Sequence, residues 1–197
     1  MRYILILMGM ILLWGCSTVV PAVTEYKVVT KLPVNKEVSS ISTKSLKVLQ
    51  AFSSSALMSH HMNYTQGLTK RYAYSQAQWA EPPSFAITNE FLKHIQKANI
   101  FKSVLNSKSR SKSDLVLEIN VDDFMQYFNE DESKSYVNIA LTLNLIDVEN
   151  EKVLATNSFE LKTDTKTLDA DGGVKALNST LEKILNQSIK WLEEVCR

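Results

Sequence analysis

Cysteine is nearly absent from this chain, glycine and proline are sparse, and no apolar run is long enough to cross a bilayer comfortably. The 197 residues include two cysteines, five glycines and four prolines. Two cysteines exclude a disulfide-stapled scaffold, and no cysteine pair has the spacing of a structural zinc site. With so little glycine and proline, and no internal repeat or low-complexity tract, collagen-like and disordered classes are excluded as well. Neither sign of charge dominates, with 22 basic and 21 acidic residues. A nucleic-acid partner is therefore not expected, since it would call for a basic surface. The sustained apolar stretch, Tyr3 to Trp14, falls short of the roughly 20 residues a spanning helix needs.

That stretch has the three parts of an export signal: a positive start at Met1-Arg2, the apolar run, and the small residue Gly15 at a cleavage point. Leu13-Trp14-Gly15-Cys16 resembles a lipobox, with Trp14 standing where a small residue is usual. The expected division is a signal peptide over 1–15, a lipidated tether over 16–23 and one folded domain over 24–197. Cys16 would carry diacylglycerol and an N-acyl chain such as palmitate, with no other cofactor. The alternative is an ordinary secretory signal or an uncleaved anchor with an incidental cysteine. Removal of Arg2 with the signal leaves 21 charges of each sign. The remaining chain, about 180 residues, suits a single domain with a sizeable core. Ser17 follows the cysteine where aspartate would favour inner-membrane retention, so the expected location is the outer membrane, facing the periplasm. Cys196 is then the one other thiol. It reads as an inert tail thiol or as half of an intermolecular disulfide.

Further along, Tyr26, Val28 and Leu32 alternate with lysines as in a strand, which Pro33 stops. A second strand is expected over Ser45 to Ser53. The segment from Leu57 to Ser75 reads as a hairpin turning at Gln66-Gly67. Trp79-Ala80-Glu81-Pro82-Pro83 opens a helix through Ile87, Phe91, Leu92, Ile95 and Ala98, ending near Asn99. Residues 106–113 lack any apolar side chain and read as a solvated loop. A strand begins at Asp114, with a phase slip near Asp122-Asp123 that a β-bulge would explain. Two further alternating segments, Val137 to Leu145 and Val153 to Leu161, complete an antiparallel meander. Val174, Leu177, Leu181, Ile184, Ser188, Trp191 and Val195 then form one stripe of a long helix that Asp171 can cap. The class is α+β: an antiparallel sheet with two main helices on one face.

Catalytic chemistry is not legible. His60 and His61 are neighbours that would point to opposite faces of a strand, and His94 stands alone in the polar part of a helix. The acidic runs at 122–123, 130–132 and 169–171 read as a bulge, a solvated turn and a helix cap, and the chain reads as a non-enzyme with no metal. Binding has one aromatic candidate. Tyr64, Tyr72, Tyr74 and Trp79 either present a surface to lipid or a partner, or pack the start of the first helix into the core. Lys108, Arg110 and Lys112 read as a solvated loop, with anionic headgroups as the alternative contact.

Arg71-Tyr72-Ala73-Tyr74-Ser75-Gln76-Ala77-Gln78-Trp79-Ala80-Glu81-Pro82, leading into a helix with Phe91, Leu92 and Ile95, resembles the PqiC-like family of ABC-type transport auxiliary lipoproteins. There a tyrosine-containing strand leads to an Arg-Trp-Ala-(Asp/Glu)-Pro motif; Gln78 takes the place of its arginine. The resemblance implies a non-catalytic periplasmic component of an envelope phospholipid-transport system. Its partner would be the mammalian-cell-entry (Mce) type substrate-binding protein of an ABC transporter, and a symmetric homo-oligomer would be natural. The competing expectation is a structural or assembly lipoprotein of the outer membrane, for instance in lipopolysaccharide export.

Overall fold

The computed structural model describes residues 21–32, 42–67 and 69–196. The lipobox with Cys16, and Pro33, lie outside the described residues. In chain order the elements are β1 (Thr24–Tyr26), β2 (Ser42–Val48), β3 (Phe52–Ser53), a 3-10 turn (Ser55–Met58), β4 (His61–Gln66), β5 (Lys70–Trp79), α1 (Pro83–Ala98), β6 (Phe101–Asn106), β7 (Leu115–Phe128), β8 (Ser135–Asp147), β9 (Lys152–Asp164) and α2 (Ala170–Val195).

Among the described residues, β7 is the spine of one nine-stranded sheet. On one side it pairs antiparallel with β8, which pairs antiparallel with β9. Its other edge is shared end to end by β2, β3 and β4, all parallel to it: Leu46–Val48 lie beside Leu115–Leu117, Phe52–Ser53 beside Asn120–Val121, and Tyr64–Gln66 beside Gln126–Phe128. β6 extends the sheet beyond β2, while β5 and then β1 extend it beyond β4. The α+β class holds. The sheet, however, is mixed, because β2, β3 and β4 are one interrupted course that keeps a single direction.

The expected strand over Ser45 to Ser53 is therefore split, and α1 occupies the break. Ala51 N–H donates to Thr88 Oγ1 at 2.9 Å, and Gln50 Nε2 donates to Ser84 O and Thr88 Oγ1, both at 3.0 Å. Leu49 N–H still donates to Leu117 O of β7 at 3.0 Å, and the bonds to α1 replace the ladder lost at 50–51. The expected strand from Tyr26 to Leu32 contracts to β1, and the rest straps across both helices. Asn178 of α2 brackets it, donating to Lys27 O at 3.3 Å and accepting from Val29 N–H at 3.2 Å. Thr30 donates through N–H and Oγ1 to Glu90, and Lys31 N–H donates to Glu182. β6 has no counterpart in the sequence-based expectation. It starts two residues after the left-handed Asn99 (φ 55°), which caps α1 where expected.

The meander supplies the core. Val137, Ile139, Leu141, Leu143 and Leu145 are no more than 1 % exposed, as strict alternation dictates. The register slips between Val121↔Leu141 and Asp123↔Ala140, so the bulge at Asp122 is real and turns Phe124 and Phe128 inward. Ile87, Phe91 and Ile95 of α1 and Val174, Leu177, Leu181, Ile184 and Leu192 of α2 complete the same core. The cap of α2 is Asp169, not Asp171: Asp169 Oδ1 accepts from Gly172 N–H at 2.8 Å, while Asp171 pairs with Lys175 at 2.5 Å. A side chain one residue before the helix reaches the free amides, whereas Asp171 is already inside it.

Candidate functional site

The β4–β5 hairpin turns at Gly67, whose φ of 62° suits a residue without Cβ. Its pairing sets Tyr64 opposite Tyr72. Between His61↔Gln78 and Asn63↔Ala73 the register shifts, β5 carrying the extra residues. That irregularity separates the aromatic candidates into two groups.

Tyr64, Tyr72 and Tyr74 form one cluster. The Tyr64 ring lies 5.6 Å from Tyr72 and 4.6 Å from Tyr74, and meets Phe128 edge-on at 5.4 Å. Such offset and edge contacts are favoured by the ring quadrupoles. Tyr72 remains 44 % exposed, the outermost of the three. Tyr74 runs inward, its hydroxyl donating to Gln126 Oε1 at 3.0 Å, and Gln126 Nε2 donates to Ser135 Oγ at 3.0 Å. The Ser135 hydroxyl meets that of Thr165. Burial pushes the Tyr74 phenol upward, and burial followed by Glu132 raises that of Tyr64. Both remain neutral hydrogen-bonding groups at physiological pH. Gln126 and Ser135 were not expected as site residues. Gln126 occupies a core-facing position of β7 where the local pattern gives no partner for it.

Trp79 is elsewhere. It ends β5 rather than starting the helix, is 3 % exposed, and packs at 5.8 Å from Phe124. Its backbone closes on His60, with Trp79 N–H donating to His60 O at 2.8 Å and His60 Nδ1–H donating to Trp79 O at 2.9 Å. The structure thus unites the three tyrosines and puts Trp79 in the core beside Phe124.

Three turns meet at the tyrosine end of the sheet. Gln66 Nε2 donates to Glu130 O at 3.0 Å, tying the hairpin to the β7–β8 turn, and Thr165 N–H donates to Ser135 O at 3.0 Å, bringing in the connection from β9 to α2. Asp131 accepts from Ser133, which holds its carboxyl below the usual range. The loop with Lys108, Arg110 and Lys112 is at the opposite end, where Lys47 Nζ donates to Ser109 O and Ser111 O.

On the face away from the helices, Tyr127 and Tyr136 stack at 5.3 Å with 10° between their planes, and Lys162 Nζ lies 5.8 Å over Tyr136. Tyr127 Oη donates to Asp123 Oδ2 at 2.6 Å and Asn138 Nδ2 donates to the same oxygen at 2.8 Å. Burial pushes the Asp123 carboxyl upward against these bonds. The acidic pair read as a bulge is a bulge, and Asp123 also anchors this network.

His94, which the sequence places in the polar part of a helix as a surface or satisfied histidine, is fully buried and satisfied. Its ring nitrogens face Glu90 O at 2.9 Å and Lys31 O at 3.1 Å, because the strap covers that side of α1. Cys196 is half-buried, and burial pushes its thiol upward. Among the described residues, no three histidine, cysteine or acidic side chains are grouped to hold a metal, and no helix is long and apolar enough to cross a membrane.

Comparison places this architecture among known ones. Protein XCC0632 from Xanthomonas campestris aligns over 87 % of this chain and 95 % of its own, with a TM-score of 0.78 at 17 % identity. A PelC dodecamer from Paraburkholderia phytofirmans aligns over 85 % of this chain and 95 % of its own, with a TM-score of 0.50 at 13 % identity. At these identities the likeness is one of fold. No curated protein matches the sequence. The model of the ABC-type transport auxiliary lipoprotein component matches residues 30–188, most of the chain, and the protein belongs to that family.

Proposed function

We propose that this protein is a non-catalytic, lipid-anchored component of an Mce-type envelope transport system, attached to the outer membrane through Cys16. There it docks the substrate-binding protein that carries phospholipid between the membranes. The observation that carries this reading is the family match over residues 30–188, whose description names an auxiliary lipoprotein of ABC-type transport. The lipobox at 13–16 supports the anchor. The site geometry is consistent with docking, since the tyrosines and the Asp123 network are held in place by hydrogen bonds and stacking. Self-association into a ring belongs to the same reading, because the related fold of PelC is described as a dodecamer and, among the described residues, the β9 edge has no strand beyond it.

Crosslinking in intact envelopes, followed by identification of the captured protein, tests the proposal. Capture of an Mce-type substrate-binding protein together with its permease is the expected result. Capture of lipopolysaccharide-export or other assembly components instead would transfer the protein to the alternative reading. Cys16→Ala should move the protein from the membrane to the soluble fraction.

A further inference from the structure

Resting on the anchor at Cys16, we infer that the tyrosine end of the sheet lies against the phospholipid surface and that the end carrying the basic loop points away from it. The direction follows from β1. Thr24, Glu25 and Tyr26 pair in parallel with Ala77, Gln78 and Trp79, so the chain preceding Thr24 departs toward the beginning of β5. That is the direction of Tyr74, Tyr72 and the hairpin turn.

Chain length restricts the anchor to that side. Cys16 and Thr24 are eight residues apart in sequence, a span of at most ~28 Å when fully extended. From the level of Ala77 to Lys70 at the start of β5 is about 23 Å at the rise of a strand. The lipid can therefore sit at the hairpin end. Reaching the other end requires the tether to reverse and then pass from the level of Phe124, which packs on Trp79, to Leu115 at the start of β7. That stretch alone is about 30 Å, more than the tether spans.

The side chains at the near end suit lipid headgroups. Tyr72 is 44 % exposed and Leu168, in the connection to α2, is 50 % exposed. Tyrosine places an apolar ring and a polar hydroxyl across a membrane interface. Charges there are of both signs, with Lys70, Arg71, Lys134 and Lys166 beside Glu130, Asp131, Glu132 and Asp169. Contact thus depends on aromatic and apolar side chains rather than on anionic lipid, and the basic loop, tied to β2 at the far end, is not the lipid contact.

The test uses the lipidated full chain with Cys196→Ser, labelled with bimane at Thr69→Cys or at Lys112→Cys. The protein is reconstituted into phosphatidylethanolamine/phosphatidylglycerol vesicles containing brominated acyl chains. The label at position 69 should be quenched several-fold more than the label at position 112. Replacing phosphatidylglycerol by phosphatidylcholine should leave this difference in place, and Tyr72→Ser with Leu168→Ser should at least halve the quenching at 69 without changing the melting temperature. Equal quenching at the two positions, or more at 112, overturns the orientation. Loss of the difference in phosphatidylcholine overturns the aromatic contact in favour of charge. Flotation separates the two levels: protein that floats with position 69 unquenched overturns only the orientation, whereas protein that does not float overturns the anchor as well.

Discussion

Gly173 lies so close to Gln126 that a Cβ at position 173 would overlap the Gln126 side-chain oxygen and stand 2.8 Å from its Cδ. The first turn of α2 therefore rests directly on the amide that accepts from Tyr74 and donates to Ser135. Gly173→Ala should displace that amide and cost about 1 to 3 kcal/mol, the usual penalty for overfilling a packed site. Gln126→Ala should cost about 1 to 3 kcal/mol by leaving buried groups unpartnered. Because both changes act on one contact, urea unfolding of the double variant should show less than the sum. Strict additivity would mean that the two residues do not touch.

Trp79 and Tyr72 belong to the same strand but should respond differently to truncation. Trp79→Ala removes a buried ring from beside Phe124 and should lower stability by about 3 to 5 kcal/mol. Tyr72→Ala acts at an exposed position and should change stability by about 0.5 kcal/mol or less. Thermal melts of the two variants check this, and comparable losses would place Tyr72 in the core.

Where the face of a side chain follows from its neighbours, the sequence was a good guide. Leu115 to Val121 and Val137 to Leu145 alternate because one face of each strand is buried, and the slip at Asp122 announced the bulge without outside information. The hairpin was equally local, since Gly67 marks its turn. Partner identity was the illegible part. Tyr26, Val28 and Leu32 alternate with lysines like a strand, yet the partners of residues 27 to 31 are Asn178, Glu182, Glu90 and His94, all distant in sequence. The same strap makes His94 internal. Nor does alternation reveal direction, so the parallel course of β2, β3 and β4 beside β7 was not anticipated. For the tyrosines the local pattern gave proximity, while the inward link from Tyr74 needed Gln126, fifty-two positions away.

The cap of α2 gives a direct comparison of two nearby aspartates. Asp169→Ala should cost about 1 kcal/mol, because it frees the Gly172 amide. Asp171→Ala should cost about 0.3 to 0.5 kcal/mol through its surface pair with Lys175. Bonds from Thr167 and then Gly172 hold the Asp169 carboxyl below its usual range. Its folded value is depressed, so its contribution is present above the unfolded value of about 3.9 and fades as pH falls through the folded value. Urea midpoints at pH 7 and pH 3 should therefore separate wild type from Asp169→Ala more widely at pH 7. An equal separation would remove the charge from the cap's role.

Asp123 should act in the opposite sense. Burial raises its carboxyl above the ordinary value, although Tyr127, Asn138 and the Phe124 amide all bond to it. Below about pH 3.9 both folded and unfolded chains hold the proton. As pH rises the unfolded chain ionises first, so folding loses stability up to the raised folded value and no further. Asp123→Asn removes this loss while keeping one acceptor for the Tyr127 hydroxyl. The stability of the variant relative to wild type should therefore improve between pH 3.5 and pH 7, whatever its sign at the acid end. A change in the other direction would show that the two side-chain bonds at 2.6 and 2.8 Å outweigh burial, and that Asp123 sits on the open face as a stabilised carboxylate.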